Sequence, residues 1–180
     1  MSTVPTESNV HTSTPAFEPR PVPLPVPDFM DSLKLGSLTT TEPDVAVSVG
    51  VNRYVDEEGS IHSVQVYDQS DVGWSFPLDD ALKLIVLLAQ AYTAAQLDRS
   101  EDGDAHTEAY GSAGSVWDLS GFESVVGSQR FPFEGEPTEH NVVLRGYDAT
   151  FSTDSIPELV RLLLVATADA CTGSTEERAA

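Results

Sequence analysis

The sequence predicts an α+β fold in which one antiparallel sheet of four to six strands carries two helices on one face, behind a disordered, proline-rich N-terminus. Three observations lead to this prediction. Valines alternate with small or polar residues over 45–51, which is the period of a strand. Two segments rich in Leu and Ala, 78–97 and 156–170, have the length and composition of helices. Residues 19–27 alternate proline with other residues and fit neither period.

Residues 1–43 form the proline-rich arm in this prediction. Within it, five prolines occupy every second position: Pro19, Pro21, Pro23, Pro25 and Pro27. Each proline fixes its own φ and pushes the preceding residue towards extended geometry, so polyproline II is the expected conformation. Composition favours a stiff spacer or a disordered tail, and a docking peptide for an aromatic groove is the alternative. A single domain, 44–172, follows the arm, and 173–180 are predicted to be a disordered tail.

The first half of the domain, 44–97, is predicted to begin with a hairpin. The alternating run of valines is followed by a Gly-containing turn at 56–60 and by a second alternating run, 61–68. Two such runs around a short turn predict an antiparallel hairpin over 45–67. A short extended piece, 74–76, then leads into the first helix.

That helix is predicted over 78–97. Pro77 suits a helix start because its missing N–H costs nothing in the first turn, and Asp79 and Asp80 complement the positive end of the helix dipole. Five consecutive apolar residues, 84–88, cover more than one stripe of the helix. A helix that is apolar over such an arc is expected to be covered on two sides, by its own sheet and by a second helix or another subunit.

The second half, 116–172, follows an acidic loop predicted at 98–115 and shows the same order more weakly. Its segments are a strand at 129–133, a strand at 141–144, a helix at about 156–170, and an unassigned, partly apolar stretch at 116–127. A slide of the chain by 77 residues places Trp74 over Phe151 and Leu87 over Leu164. This order predicts a ββα-ββα pseudo-repeat with half-repeats 44–97 and 116–172, and a chance alignment of two Leu/Ala-rich helices is the alternative.

The start of the first helix carries a resemblance to known proteins. Its sequence, Phe76-Pro77-Leu78-Asp79-Asp80-Ala81-Leu82, follows a hairpin and continues with Leu and Ala. It resembles small uncharacterised proteins of actinobacteria and their phages, in which a strand precedes a Leu-x-x-Asp/Glu-Ala-x-x-Leu helix. Seven arginines against two lysines are in keeping with a high-GC genome of that kind. The resemblance implies a strand-then-helix unit and no catalytic residues.

Charge and cysteine content exclude several function classes. The chain has 29 acidic and 9 basic side chains, and its net charge of -20 argues against direct binding to nucleic acid or to an anionic membrane. Its single cysteine, Cys171, excludes an intrachain disulfide and a cysteine-only metal site. The longest uninterrupted apolar stretch, 84–89, is far shorter than the ~20 residues that span a bilayer. Because 1–9 do not resemble a secretory signal, a soluble, cytoplasmic protein is expected.

Motifs for metal binding are incomplete, so neither a metal nor another cofactor is expected. Asp98, Asp102 and Gly103 match early positions of an EF-hand loop, but the twelfth position is Ala109 and not a bidentate Glu. Adjacent acids occur in a turn, at a helix start and in the tail, where charge is solvated: Glu57/Glu58, Asp79/Asp80 and Glu176/Glu177. Solvent-facing strand positions are expected for His62 and His140, with a histidine pair across the sheet as the alternative.

A non-catalytic protein-interaction or accessory protein is therefore the expected function, with a protein partner or a second copy of the chain on its surface. The expected interface residues lie on the first helix and beside it: Leu84, Leu87, Leu88, Tyr92 and Trp74. No catalytic residues are expected. One alternative is an acidic decoy that blocks a basic, nucleic-acid-binding surface. The other is an enzyme whose site combines scattered polar residues, such as Asp71, Asp148 and His62.

Overall fold

The computed structural model describes residues 29–42, 45–56, 59–68, 73–102, 107–133, 137–146 and 149–178. Within these residues the chain forms two four-stranded sheets and two long helices, in the order four strands then helix, twice. The first unit consists of β1 (Phe29–Thr39), β2 (Ala46–Asp56), β3 (Gly59–Tyr67), β4 (Gly73–Phe76) and α1 (Leu78–Asp102). The second consists of β5 (Ala109–Trp117), β6 (Glu123–Phe131), β7 (Glu139–Arg145), β8 (Ala149–Ser152) and α2 (Ile156–Arg178), with a 3-10 turn at Thr153–Ser155 before α2. The α+β class is confirmed.

Both sheets are antiparallel meanders, ordered β1-β2-β3-β4 and β5-β6-β7-β8. The hairpin expected over 45–67 is formed by β2 and β3, in which Val51 lies opposite Val64 and Val49 opposite Val66. These valines are buried on one face of the first sheet, as their alternation requires. The described strands thus form two sheets of four, where the sequence indicated one sheet of four to six.

Each helix packs on the sheet of the other unit. α1 lies against β5, β6 and β7, α2 lies against β1, β2 and β3, and the two helices contact each other. A Cβ built on Gly36 of β1 would lie 2.7 Å from Cδ2 of Leu162 in α2. The sequence predicted that the two helices would share one face of a single sheet. In the structure each helix instead covers a different sheet. We call this arrangement, in which each helix packs on the other unit's sheet, helix exchange. Each helix still has a sheet and a second helix as neighbours, which accounts for its wide apolar arc.

The first strands of the two units show that the repeat extends to fine detail. β1 has a bulge between Lys34 and Gly36, and β5 has one between Ser112 and Gly114. The glycine after each bulge lies beneath a leucine of the exchanged helix, because a Cβ on Gly114 would be 2.8 Å from Cδ2 of Leu87. A side chain at either glycine would require the leucine above it to move. The repeat unit is therefore ββββα, longer than the predicted ββα.

Burial gives the helices a repeat register of 75 residues and not 77. At this spacing buried residues coincide, for example Leu84 with Leu159 and Leu88 with Leu163. The 77-residue slide instead pairs the buried Leu87 with Leu164, which is 49% exposed. Two residues rotate a helix by about 200°, so the slide superposed opposite faces.

Several predicted boundaries change. β1 lies inside the predicted arm 1–43, whose residues 1–28 fall outside the described residues. α1 continues past 97 to Asp102, and β5 occupies 109–117, so the predicted loop 98–115 is mostly regular structure. α2 continues through the predicted tail to Arg178.

The unassigned stretch 116–127 is the hairpin between β5 and β6. Its turn is closed by Asp118, whose Oδ1 accepts hydrogen bonds from the Phe122 backbone N–H at 2.8 Å and from the Ser120 hydroxyl at 2.6 Å. Gly121 has φ +76°, a conformation that favours glycine. The polar residues of this tight turn interrupt the apolar period, so no single period assigns the stretch.

Candidate interaction surface

Four of the five predicted interface residues belong to the core. Leu84 and Leu88 are each 1% exposed, Trp74 is 6% exposed and Leu87 is 7% exposed. The fifth, Tyr92, is half-buried and packs against the same core. α1 is apolar on several sides, and its inward stripe faces β5, β6 and β7. These side chains are therefore core residues, and a partner would meet a different stripe of α1.

The solvent-facing stripe of α1 is itself apolar. Leu82, Val86 and Leu97 are 47%, 54% and 55% exposed. Between Val86 and Leu97 the outward positions are small or uncharged: Ala89, Gln90, Thr93 and Ala94. We call this set, from Leu82 to Leu97, the α1 groove; from Ile85 to Leu97 it borders a shallow space that is open to solvent. An apolar strip of this kind on a long helix is typical of an interaction surface.

The spacing of the groove residues matches that of helix packing. A side chain from a facing helix inserts between four residues at positions i, i+3, i+4 and i+7. Positions 86, 89, 90 and 93 form one such hole, and positions 90, 93, 94 and 97 form the next. The Thr93 hydroxyl donates to the Ala89 carbonyl at 2.8 Å, so its donor is satisfied within α1. The Thr93 hydroxyl therefore needs no polar partner, and Gln90 is the other polar side chain of the groove.

Charged residues lie only at the two ends of this face. Asp79 and Asp80 are in the first turn of α1, and Arg99 is in the last turn. Asp79 is exposed, whereas Oδ1 of Asp80 accepts a hydrogen bond from the Trp117 backbone N–H at 3.2 Å. Charged residues thus lie near both ends of α1, and none lies between 84 and 97. They are Asp79, Asp80 and Lys83 near the start, and Asp98, Arg99, Glu101 and Asp102 near the end.

The outer face of α2 differs from that of α1. Leu164 and Val165 are exposed there, but Arg161 takes the place that Val86 has in α1. Arg161 donates from Nε and Nη2 to the two carboxylate oxygens of Glu158, at 2.7 Å each. These hydrogen bonds and the nearby charge hold the pKa of Glu158 below its ordinary value and raise that of Arg161. The fully ionised pair interrupts the apolar stripe of α2.

A polar cluster fastens the C-terminal end of α1 to the second sheet. Asp98 accepts from Nη1 of Arg130 at 2.9 Å, and its other oxygen lies 3.1 Å from Nδ1 of His140. Nε of Arg130 donates to the Thr107 carbonyl at 2.9 Å. Arg130 and His140 are cross-strand partners on β6 and β7 and are both buried. A cleft of about 240 Å³ between α1, β5 and β6 adjoins the cluster and shares Ala94 with the α1 groove.

The first unit repeats part of this cluster. Arg53 and His62 are cross-strand partners on β2 and β3, as Arg130 and His140 are on β6 and β7. At the position of Asp98, α2 has Gly173, on which a Cβ would lie 2.9 Å from Cε1 of His62. His62 and His140 therefore hold equivalent places in separate sheets and do not pair across one sheet. The sequence lacks any signal for this arrangement except the two Arg and His residues at similar offsets.

The remaining candidate residues lie either in regular elements or outside the described residues. Asp98 and Asp102 lie within α1, and Ala109 begins β5, so the EF-hand pattern does not form its loop. Asp71 and Asp148, proposed with His62 for an enzyme, lie outside the described residues, as do Glu57 and Glu58. Glu176 and Glu177 lie in α2. Among the described residues, no group of three or more His, Cys, Asp or Glu is placed to hold a metal ion.

In the part of the chain that the structure describes, neither helix is long and apolar enough to cross a membrane. No protein-family model matches this chain, and neither a curated protein nor a solved structure shows significant similarity to it.

Proposed function

We propose that this protein is a non-catalytic interaction module that binds an α-helix of a protein partner in the α1 groove. The observation that carries the proposal is the exposure of Leu82, Val86 and Leu97 on a helix whose other sides already pack on a sheet and on α2. The lone cysteine and the acidic composition favour an accessory protein of the cytoplasm. The resemblance of the helix start favours an actinobacterial or actinophage source.

Helix binding suits this groove better than binding of a strand or loop. A helix satisfies its own backbone hydrogen bonds and needs only apolar contact from its receptor. The uncharged residues between Val86 and Leu97 offer such contact, in holes that accept side chains spaced three and four apart. The partner helix is expected to present apolar residues at that spacing.

The polar cluster supports the proposal because it holds the groove in shape. Asp98 fixes the last turns of α1 to Arg130 on β6, so that part of α1 is ordered before any partner arrives. A preformed surface pays less conformational entropy on binding than one that folds with its partner. The cluster is thus a positioning element, and the groove residues make the contact.

Site-specific photo-crosslinking in cells that produce the protein tests the proposal. A benzophenone amino acid at Gln90 lies at the centre of the groove, and one at Val165 on α2 is the matched control, since both positions are exposed on a helix. We expect crosslinks from position 90 whose partner peptides map to the apolar face of a helix. Val86→Asp, which places a charge in the groove, should abolish them.

The control position decides the interpretation. Crosslinks from position 90 that are no more frequent than those from position 165 would contradict the proposal. Crosslinks that persist in full with Val86→Asp would contradict it as well, because the groove would then not be the contact surface.

A further inference from the structure

We propose that the helix bound in the α1 groove is a basic amphipathic helix, and that it inserts one lysine or arginine side chain into the cleft beside Asp98. This inference rests on the proposed function, since it names the chemistry of the partner of the same groove. Three features carry it: the place and lining of the cleft, the accessibility of the Asp98 carboxylate, and the small residues that open the cleft in the second unit.

The cleft lies directly beside the α1 groove. It has a volume of about 240 Å³ between α1, β5 and β6, and Ala94 lines both the cleft and the groove. Asp98 follows Ala94 by about one turn of α1 and also lines the cleft. A helix seated in the groove therefore runs past the cleft, within reach of a side chain at the edge of its apolar stripe.

The walls of the cleft suit a long side chain with a charged end. Ala94, Ala95 and Ala109 supply apolar surface, and Asp98 supplies a carboxylate. Lysine and arginine combine an apolar stem with a cationic head, so the stem can pack on apolar surface while the head meets a polar group. The lining thus matches these two residue types.

The carboxylate is the more accessible charge of the polar cluster. The Asp98 side chain is 33% exposed, whereas that of Arg130 is 9% exposed. One Asp98 oxygen accepts from Arg130, and the other lies 3.1 Å from Nδ1 of His140. Because the two oxygens of a carboxylate offer about four lone-pair sites, Asp98 can accept from a further donor. A cation gains this contact, whereas an anion would have to displace Asp98 from Arg130.

The charge around the cleft favours a cation as well. From 98 to 108 the sequence has five acidic residues against one arginine, Arg99. Glu108 is exposed, and its Oε1 accepts from Nε2 of Gln129, a residue that lines the cleft, at 3.4 Å. The whole chain carries a net charge of -20. Such a surface attracts basic partners and disfavours acidic ones, so charge complementarity selects a basic helix.

The first unit has larger side chains at the place of the cleft. Ser128 on β6 lies opposite Gly111 on β5, and the equivalent pair, counted from the arginine of each cluster, is Val51 opposite Leu33. α2 has Gly173 at the position that corresponds to Asp98. The second unit therefore combines smaller side chains with a carboxylate, and a site for a cationic side chain requires both.

Designed peptides that span the groove test the inference with the full chain. The first has leucines spaced three and four apart and lysines elsewhere, the second has the same leucines and glutamates elsewhere, and the third is the lysine peptide in scrambled order. The scrambled peptide measures general attraction to a negative protein. In fluorescence anisotropy at about 0.15 M NaCl, the lysine peptide with the leucine stripe should bind at least about tenfold more tightly than either of the others.

Two changes in the cleft separate insertion of a side chain from general attraction. Gly111→Leu with Ser128→Val gives the second unit the residues of the first and leaves the net charge unchanged. Asp98→Asn removes the carboxylate, and Asp79→Asn is its matched control, since it removes the same charge from an exposed position of α1. The filled cleft and Asp98→Asn should each weaken binding of the lysine peptide by at least about fivefold, and Asp79→Asn by less than about twofold.

The outcomes separate this inference from the proposed function. The inference is overturned if the lysine peptide binds no better than the glutamate or the scrambled peptide. It is also overturned if either cleft variant, once shown by circular dichroism to be folded, binds as the native chain does. In each case a helix captured by the crosslinker at position 90 leaves the proposed function standing. If position 90 also captures nothing above its control, both are wrong.

Discussion

The exchange of helices between the two units can be tested with one pair of residues. Gly36 on β1 belongs to the first unit, and Leu162 on α2 belongs to the second. In a fold where each helix covered its own unit's sheet, Gly36 would face α1. The effect of a substitution at Gly36 on stability would then not depend on the residue at position 162. We therefore consider Gly36→Ala and Leu162→Ala, made separately and together.

The expected energies follow from the geometry of the contact. A Cβ at Gly36 would lie 2.7 and 3.0 Å from the two Cδ atoms of Leu162, so Gly36→Ala overpacks the interface and should cost about 1–3 kcal/mol. Leu162 is buried, and Leu162→Ala should cost about 2–5 kcal/mol through lost contact and the cavity it leaves. In the double variant the new methyl group occupies space that the leucine has vacated. The combined cost should then be smaller than the sum by about 1–3 kcal/mol.

Equilibrium unfolding in urea, followed by far-ultraviolet circular dichroism, measures all four free energies. The pair Gly36→Ala and Leu87→Ala is the control, because Leu87 contacts Gly114 and lies on the other helix. That pair should be additive within about 0.5 kcal/mol. A coupling of Gly36 to Leu87, or a coupling to Leu162 below about 0.5 kcal/mol, would refute the exchanged arrangement.

Two further predictions concern the charged residues. Asp98→Asn should lower the free energy of unfolding in urea by about 1–3 kcal/mol, because the buried Arg130 loses its carboxylate partner. Asp79→Asn, at an exposed site, is the control and should change it by less than about 0.5 kcal/mol. Equal effects of the two substitutions would contradict the role of the polar cluster. Arg161→Gln should raise the pKa of Glu158 towards its ordinary value in an NMR titration, with Asp154→Asn as a control that leaves it unchanged. Because the pKa of Glu158 in the folded state is lowered, its contribution to stability is present at neutral pH and is lost as the pH falls through that lowered pKa. An unchanged pKa in Arg161→Gln would show that the hydrogen bond is not its cause.

Local patterns in the sequence identify the elements whose stabilising contacts are themselves local. The valines of β2 alternate over a whole strand, and Pro77 with two aspartates defines the start of α1, so both elements were predictable. β1 was assigned to the arm because 29–39 mix Asp, Ser, Lys and Leu without a strict period, and its bulge before Gly36 shifts the alternation further. A bulge places consecutive residues on unexpected faces, and nothing local reveals it.

The candidate surface was harder to predict than the fold. The sequence shows that α1 is apolar over a wide arc, but which stripe is buried depends on the sheet that covers it. Leu87 is buried because β5 presents Gly114 to it, a contact between units that are distant along the chain. The sequence analysis therefore proposed residues of the inward stripe as the interface, and it did not single out the outward residues Leu82, Val86 and Leu97. Only the structure shows which residues of α1 are buried, and this distinguishes the inward stripe from the outward one.

The asymmetry between the repeated units bears on the proposal that one helix, and not both, carries an interaction. Two ββββα units, each with its helix on the other unit's sheet, have outer helix faces in equivalent places. In this chain the α2 face is closed by an ion pair at Glu158 and Arg161, and the α1 face keeps Val86 at the corresponding place. The polar cluster also differs between the two units. Asp98 ties α1 to the second sheet, whereas α2 has Gly173 at the corresponding position. Both differences favour a rigid, apolar α1 surface, which is what a preformed docking site requires.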